Sequence, residues 1–217
     1  MGLLDLFRRP PPIRGIAELE DFLDSRAAFL VQKCVFEYSR ARAGILWQKL
    51  FKEAAFKQAV EESRWRNYPL GLENVTVTVE HALRPHVCDE ERLAMRQGLI
   101  AAAANVTDRY PVPAGFEPRF WADARENLAA RIDRAGLAPP KPIKDIPKET
   151  MAQFIDAMPI HASLRGHDYV LLQNNVRFNL CRMYEDFIAR ADMPALAAAV
   201  IEGPPPVVVP AVGRRSE

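Results

Sequence analysis

The sequence predicts an all-α, multi-helix, bundle-like single domain, and three observations lead there. Prolines outnumber glycines, 18 to 10, and they gather at 10–12, 111–113, 139–147 and 204–210, marking the ends of helices rather than their interiors. The stretches between these clusters carry apolar residues at helical spacing. A second convincing strand, which a sheet would need, is missing. With 217 residues, 49% of them hydrophobic and 26% charged, the chain can bury a real core and is too apolar to stay unfolded. The expected organisation is an N-terminal amphipathic and proline segment over 1–15, a helical domain over 16–202 and an extended Pro/Val-rich tail over 203–217.

The opening "MGLLDLFRR" sets Leu3, Leu4, Leu6 and Phe7 beside Arg8 and Arg9. Such a piece suits a membrane surface, a groove on a partner, or a fold-back onto the core. Its apolar run is too short for a secretory signal.

From Ile16 to Trp65 the chain has no proline and is rich in strong helix formers, which predicts a long central helix with a break near Gly44 or in its second half. Leu19, Leu23, Leu30, Cys34, Ala41 and Ile45 trace one stripe, and Phe22, Phe29, Phe36 and Leu50 widen it. "LGLENVTVTVEHALRPH" reads two ways. Val75, Val77 and Val79 alternate as in a strand, whereas Leu72, Val75, Val79 and Leu83 share one helical face with Asn74 as an N-cap. Without a partner strand, helix is the expectation over 73–84.

"CDEERLAMRQGLIAAAANVTDRYP" predicts a helix capped by Asp89 and closed at Tyr110-Pro111. "EPRFWADARENLAARIDRAG" predicts another, with Gly136 as its C-terminal stop. "LAPPKPIKDIPKE" reads as an extended connector before a short helix over 148–157. A long helix then places Tyr169, Val176, Leu180, Met183 and Phe187 on one stripe, and "MPALAAAVIEG" adds a short last helix. Trp47, Trp65 and Trp121 are expected in the core. The tail "PPPVVVPAVGRRSE" cannot continue a helix.

Composition limits the chemistry. A net charge of +1 gives no footprint for nucleic acid, although Arg40, Arg42, Lys49 and Lys52 lie close together as a local basic face. Cys34, Cys88 and Cys181 form no CxxC pair, which fits a reducing, cytoplasmic setting. No stretch approaches the ~20 apolar residues of a membrane span. All the histidines sit in "HALRPH" (His81, His86) and "HASLRGH" (His161, His167), and neither pair has the i, i+3 or i, i+4 spacing of a one-helix chelate. No metal centre and no cofactor is expected; helix-end bonding is the reading for these histidines, and a site assembled from Glu80, His81 and His167 across helices stays open. The motifs of serine hydrolases, phosphate loops and dinucleotide binders are all missing, so no enzyme class is defined.

One carboxylate stands out. On a regular helix Glu37 falls in the middle of the Leu19–Cys34–Ala41 stripe, facing the core. Three readings follow: an ion pair with Lys33, Arg40 or Arg26; a polar pocket in which Glu37 and Arg40, with Asn175 or His167, hold a small molecule or move a proton; or a helix irregularity that turns Glu37 outward. The expected function is that of an interaction or adaptor protein, peripheral to a membrane through Leu3, Leu4, Leu6, Phe7, Arg8 and Arg9, with a protein partner or a second copy of itself. The alternative is a small-ligand binder or enzyme built around Glu37.

Overall fold

The computed structural model describes residues 11–159 and 161–203, the side chains of 162–166 excepted. The expectations for Leu3, Leu4, Leu6, Phe7, Arg8 and Arg9, and for the tail from 204 onward, lie outside the described residues.

Helix α1 (Ile16–Val31) passes directly into a π-helical turn (Gln32–Glu37), α2 (Tyr38–Ala43), a tight 3-10 turn (Gly44–Leu46) and α3 (Trp47–Leu50). Then come α4 (Ala54–Leu83), α5 (Arg92–Asp108), α6 (Phe120–Leu137), a 3-10 stretch (Ile143–Glu149), α7 (Met151–Asp156), α8 (Ala162–Arg190) and α9 (Met193–Glu202). No strand occurs among the described residues, where a single bridge joins Ile13 to Ala191. Its bonds, Ile13 N–H to the Arg190 carbonyl and Asp192 N–H to the Ile13 carbonyl, pin the start of the domain to the end of α8.

The centre of the bundle belongs to α4, not to the segment ahead of it. From Asn67 to Leu83 every residue except Leu70 is buried, with α1, α5, α6 and α8 packed around it. A helix enclosed on all sides must find partners for each polar side chain it carries. The expected helix over 73–84 is therefore the second half of a much longer one that runs straight through Pro69. Proline removes one backbone bond and crowds the preceding turn, a local penalty of about 3 kcal/mol that burial of the surrounding turns outweighs. Asn74 sits in mid-helix rather than at an N-cap.

The segment 16–50 breaks at Gly44, as expected, and also changes phase earlier. Leu19, Leu23, Leu30 and Cys34 are buried in sequence, but Ala41 and Ile45 are exposed, and Tyr38 and Ser39 are buried instead. The π turn explains the change: its i→i+5 bonds take up one more residue per turn than α geometry, so the inward direction passes from residue 37 to residue 38. On α8 the stripe Val176, Leu180, Met183 and Phe187 is buried as predicted. Trp121 is buried and Trp65 half-buried against the core, whereas Trp47 stands half-buried on the projecting corner. Asp89 lies ahead of α5, which begins at Arg92, and Gly136 lies inside α6 rather than beyond its end.

Candidate ligand-binding cleft

The four residues expected to form a polar pocket are not brought together. The Glu37 side chain is 46% exposed and accepts from Lys33 Nζ at 2.8 and 3.0 Å. Arg40 is exposed and stacks over Trp47 at 5.2 Å. His167 is exposed, and half-buried Asn175 accepts from Asn179 one turn along the same helix. Arg26 pairs with Asp186, not with Glu37. The inward-facing carboxylate was a property of a regular helix, and the π turn removes that regularity.

A polar fastening does join these helices, displaced along the chain from the expected one. Tyr38 donates its hydroxyl to Asp168, and Arg42 Nε donates to the same carboxylate at 2.9 Å. Burial and then the Asp168 carboxylate push the Tyr38 phenol up to about 12. A second fastening centres on Asp24, which accepts from the hydroxyls of Tyr68 and Tyr110 at 2.6 and 2.7 Å. Both clusters consist of mutually satisfied groups; the pocket beside Tyr68 and Tyr110 has a single cation in its lining, Arg64.

The third polar assembly adjoins a space lined by several cations. Along one side of α4, Glu73, Val77, Glu80, His81 and Arg84 recur at helical spacing. The last turns of α6 carry Arg131 and Arg134 against them, and the connector after α6 returns over the gap with Lys141, Ile146 and Glu149. The result is a cleft of about 370 Å³.

Arg131 forms its floor and is 4% exposed. Its Nη2 donates to Asn74 Oδ1 and to the Ile146 carbonyl, both at 2.9 Å, and its Nη1 donates to Glu73 Oε2 at 3.2 Å. Its Nε stands 3.9 Å from Glu149 Oε2, longer than a hydrogen bond. Desolvation dominates this pair: it raises the Glu73 carboxyl above the usual range and lowers the Arg131 guanidinium, with the mutual attraction only partly offsetting each shift. Asn74 completes the floor by donating to Thr150 Oγ1 at 3.0 Å.

Behind His81, which lines the cleft, lies a buried Glu80–Arg84 fork, Nε to Oε1 at 2.9 Å and Nη2 to Oε2 at 2.6 Å. Arg84 also donates to the carbonyls of Ala135 and Ala138, so a cation closes the C-terminal end of α6. Burial alone would raise the Glu80 carboxyl; the bonds from His81 and Arg84 outweigh it and hold it below the usual range. His81 Nε2 accepts from the Lys141 backbone N–H at 3.0 Å, and Nδ1 lies 2.9 Å from Glu80 Oε2. An amide N–H can only donate, so Nε2 carries the lone pair and Nδ1 the proton. Both ring nitrogens are thereby engaged.

At the mouth, Lys141 Nζ bonds Glu149, and this bond, ahead of a smaller opposing effect of burial, depresses the Glu149 carboxyl. Arg134 has no ion-pair partner among the described residues. No cluster of His, Cys, Asp or Glu among them could hold a metal ion, so Glu80, His81 and His167 form no such site. No described helix is long and apolar enough to cross a membrane.

Glu80 and Arg84 were visible in the sequence as an i, i+4 pair of opposite charge. Reading the segment as a helix end beside Pro85 concealed that both are buried. Arg131 gave no signal at all among the arginines of α6.

Fold and site together define an all-α bundle with a half-open, cation-rich cleft beside its central helix. Comparisons of the chain with protein families, with curated proteins and with solved structures find no match.

Proposed function

We propose that the protein binds a small anionic molecule with a short apolar body in the cleft between α4, α6 and the connector. One observation carries this reading. Three cations, Arg131, Arg134 and Lys141, line the space with one carboxylate, Glu149; with Glu73 behind Arg131 counted, one positive charge remains in excess, and Arg134 feels both carboxylates without a direct ion pair to either. Glu149 marks how the cleft receives an anion, between a lysine and a buried guanidinium. A ligand carboxylate or phosphate would lie against Arg134, with its apolar part on Val77, Ala135, Ala138 and Ile146. No reaction is assigned, because His81, the one imidazole of the cleft, has neither nitrogen available as a base.

The test is calorimetry with hexanoate, hexyl phosphate and, as a control, hexylamine. The anions are expected to saturate one site and the amine to give no heat; Arg134→Ala should weaken anion binding at least tenfold. No saturable heat from either anion, or equal affinity in Arg134→Ala, would sink the reading.

A second reading, that of an interaction protein, is favoured by the exposed apolar side chains Val170, Leu171 and Phe178 on α8, each more than 60% exposed. A protein partner or a second copy would cover them, and light scattering across a concentration series tests the second copy. The free thiols of Cys34, Cys88 and Cys181 support a reducing, cytoplasmic setting for either reading.

A further inference from the structure

We propose that the corner made by α2, the Gly44 turn and α3 docks on an anionic lipid bilayer. Ile45 is 96% exposed and Leu46 58% exposed at its apex. This is not a loose end. Phe36, Trp47 and Phe56 each pack on Phe51, at 4.9, 6.2 and 5.0 Å between ring centres, and Arg40 stacks over Trp47. The aromatic clasp fixes the π turn, α3 and the start of α4 against one another, and Arg40 ties α2 to it. Gly44, at φ +55° and ψ −135°, makes the sharp reversal between them, a conformation that side-chain-bearing residues rarely adopt. A rigid corner thus holds two large aliphatic side chains in water, where nothing in the described domain covers them.

The charge around the apex says what does. From Tyr38 to Lys52 the chain has Arg40, Arg42, Lys49 and Lys52 and no acidic residue. Arg42 is held by Asp168, and Glu37, just ahead, is matched by Lys33; Glu53 follows directly. Arg40, Lys49 and Lys52 have no acidic partner among the described residues and are all exposed. Aliphatic side chains at a convex tip, an aromatic ring behind them and a fringe of cations is the arrangement that enters the boundary between headgroups and acyl chains while the cations meet anionic headgroups. A protein partner would instead need a pocket shaped to the apex, and convexity with unspecific positive charge favours the fluid surface. Phe36 and Phe51 also wall a groove of about 500 Å³ next to the corner, with Val35 and Val60 on its apolar side and Lys57, Glu61 and Arg64 on its charged side.

The full chain is sedimented with vesicles of phosphatidylcholine alone and of phosphatidylcholine with phosphatidylserine. Binding is expected only where phosphatidylserine is present, weakening about fivefold for each of Arg40, Lys49 or Lys52 changed to Gln. Ile45→Asp with Leu46→Asp should lower it at least about tenfold. Ile45, Lys49 and Lys52 face water, whereas Arg40 also stacks on Trp47 and Leu46 is partly covered, so the melting temperature of every variant is measured alongside and only variants that keep the wild-type value are compared. No binding to either vesicle would overturn the proposal and leave the corner to an acidic protein surface. Unchanged binding of the double aspartate variant, with loss in Leu6→Asp plus Phe7→Asp, would overturn it in favour of the N-terminal segment.

Discussion

Arg131 on α6 and Glu73 on α4 meet at 3.2 Å with both side chains almost wholly buried. Moving two such charges out of water is expensive, and their attraction only balances that expense when further donors and acceptors are satisfied, as Asn74 and the Ile146 carbonyl do here. Breaking the pair from one side is therefore worse than removing it. Arg131→Met is expected to lower stability by about 3–5 kcal/mol, because Glu73 is left buried without its hydrogen-bonded cation. Combining it with Glu73→Leu should recover part of the loss. A double-mutant cycle by urea denaturation measures the coupling, and additive effects would show that the pair is not a unit.

The two buried glutamates of α4 act on acid stability in opposite directions. Glu80 has a folded pKa below its unfolded value of about 4.3, so its contribution is present above that pH and is lost as the pH falls through the folded pKa. Glu73 has a folded pKa above that value, so the fold favours its protonated form, and this contribution is lost as the pH rises through the folded pKa. Glu80→Gln should reduce stability at neutral pH and remove part of the acid-side loss below about pH 4.3. Glu73→Gln should instead flatten the change in stability above about pH 4.3. Denaturation curves at closely spaced pH values distinguish the two; parallel profiles for both variants would contradict the opposite shifts.

Much of the bundle was legible because helical spacing and burial agree over α1 and α8: Leu19, Leu23 and Leu30, then Val176, Leu180 and Phe187, all point where the pattern sends them. Gly44 announced its own break. Three features escaped for physical reasons. Pro69 obeys a local rule against helix interiors that tertiary burial of α4 overrides. The π turn at Gln32–Glu37 is the helix irregularity that one of the three readings of Glu37 allowed, but its position depends on one additional residue in a turn, which no residue type marks, and the fastening it produces centres on Tyr38. The cleft draws on α4, α6 and the connector, and only their packing selects Arg131 as the arginine that is buried.

The π turn makes a deletion prediction that an ordinary helix would not. Removing exposed Gln32 lets the turn close with α geometry, so Tyr38 and Asp168 stay in register. Stability should fall by no more than about 2 kcal/mol, within the range of common single substitutions. Removing exposed Glu185 from α8 offers the contrast: each residue advances about 100°, so Phe187 would rotate out of the core. That variant should be unfolded or lose several kcal/mol, of the order of emptying a large core site. Thermal melts of the two deletions settle it, and equal damage from both would show that the turn is not a removable insertion.

Two glycines that both sit inside helices should respond differently to alanine. At Gly98 an added Cβ would lie 1.9 Å from the Val200 carbonyl oxygen of α9, and backbone cannot step aside unless the whole helix does. Gly98→Ala is expected to cost about 3 kcal/mol or more and to loosen α9, because overpacking against a fixed partner displaces the partner. At Gly136 the added atom would meet Arg96 Cδ at 2.1 Å, but this is part of a long side chain, itself 11% exposed, whose salt bridge at 3.6 Å runs to the half-exposed carboxylate of Asp133. Arg96 can shift toward that exposed carboxylate, unlike a backbone, and the cost of moving a mostly buried side chain is offset by about 1 kcal/mol of helix propensity that alanine gains over glycine. Gly136→Ala should therefore be close to neutral. Hydrogen exchange in α9 checks the first variant and a melting curve the second; a neutral Gly98→Ala would mean that α9 does not pack against α5 at this crossing.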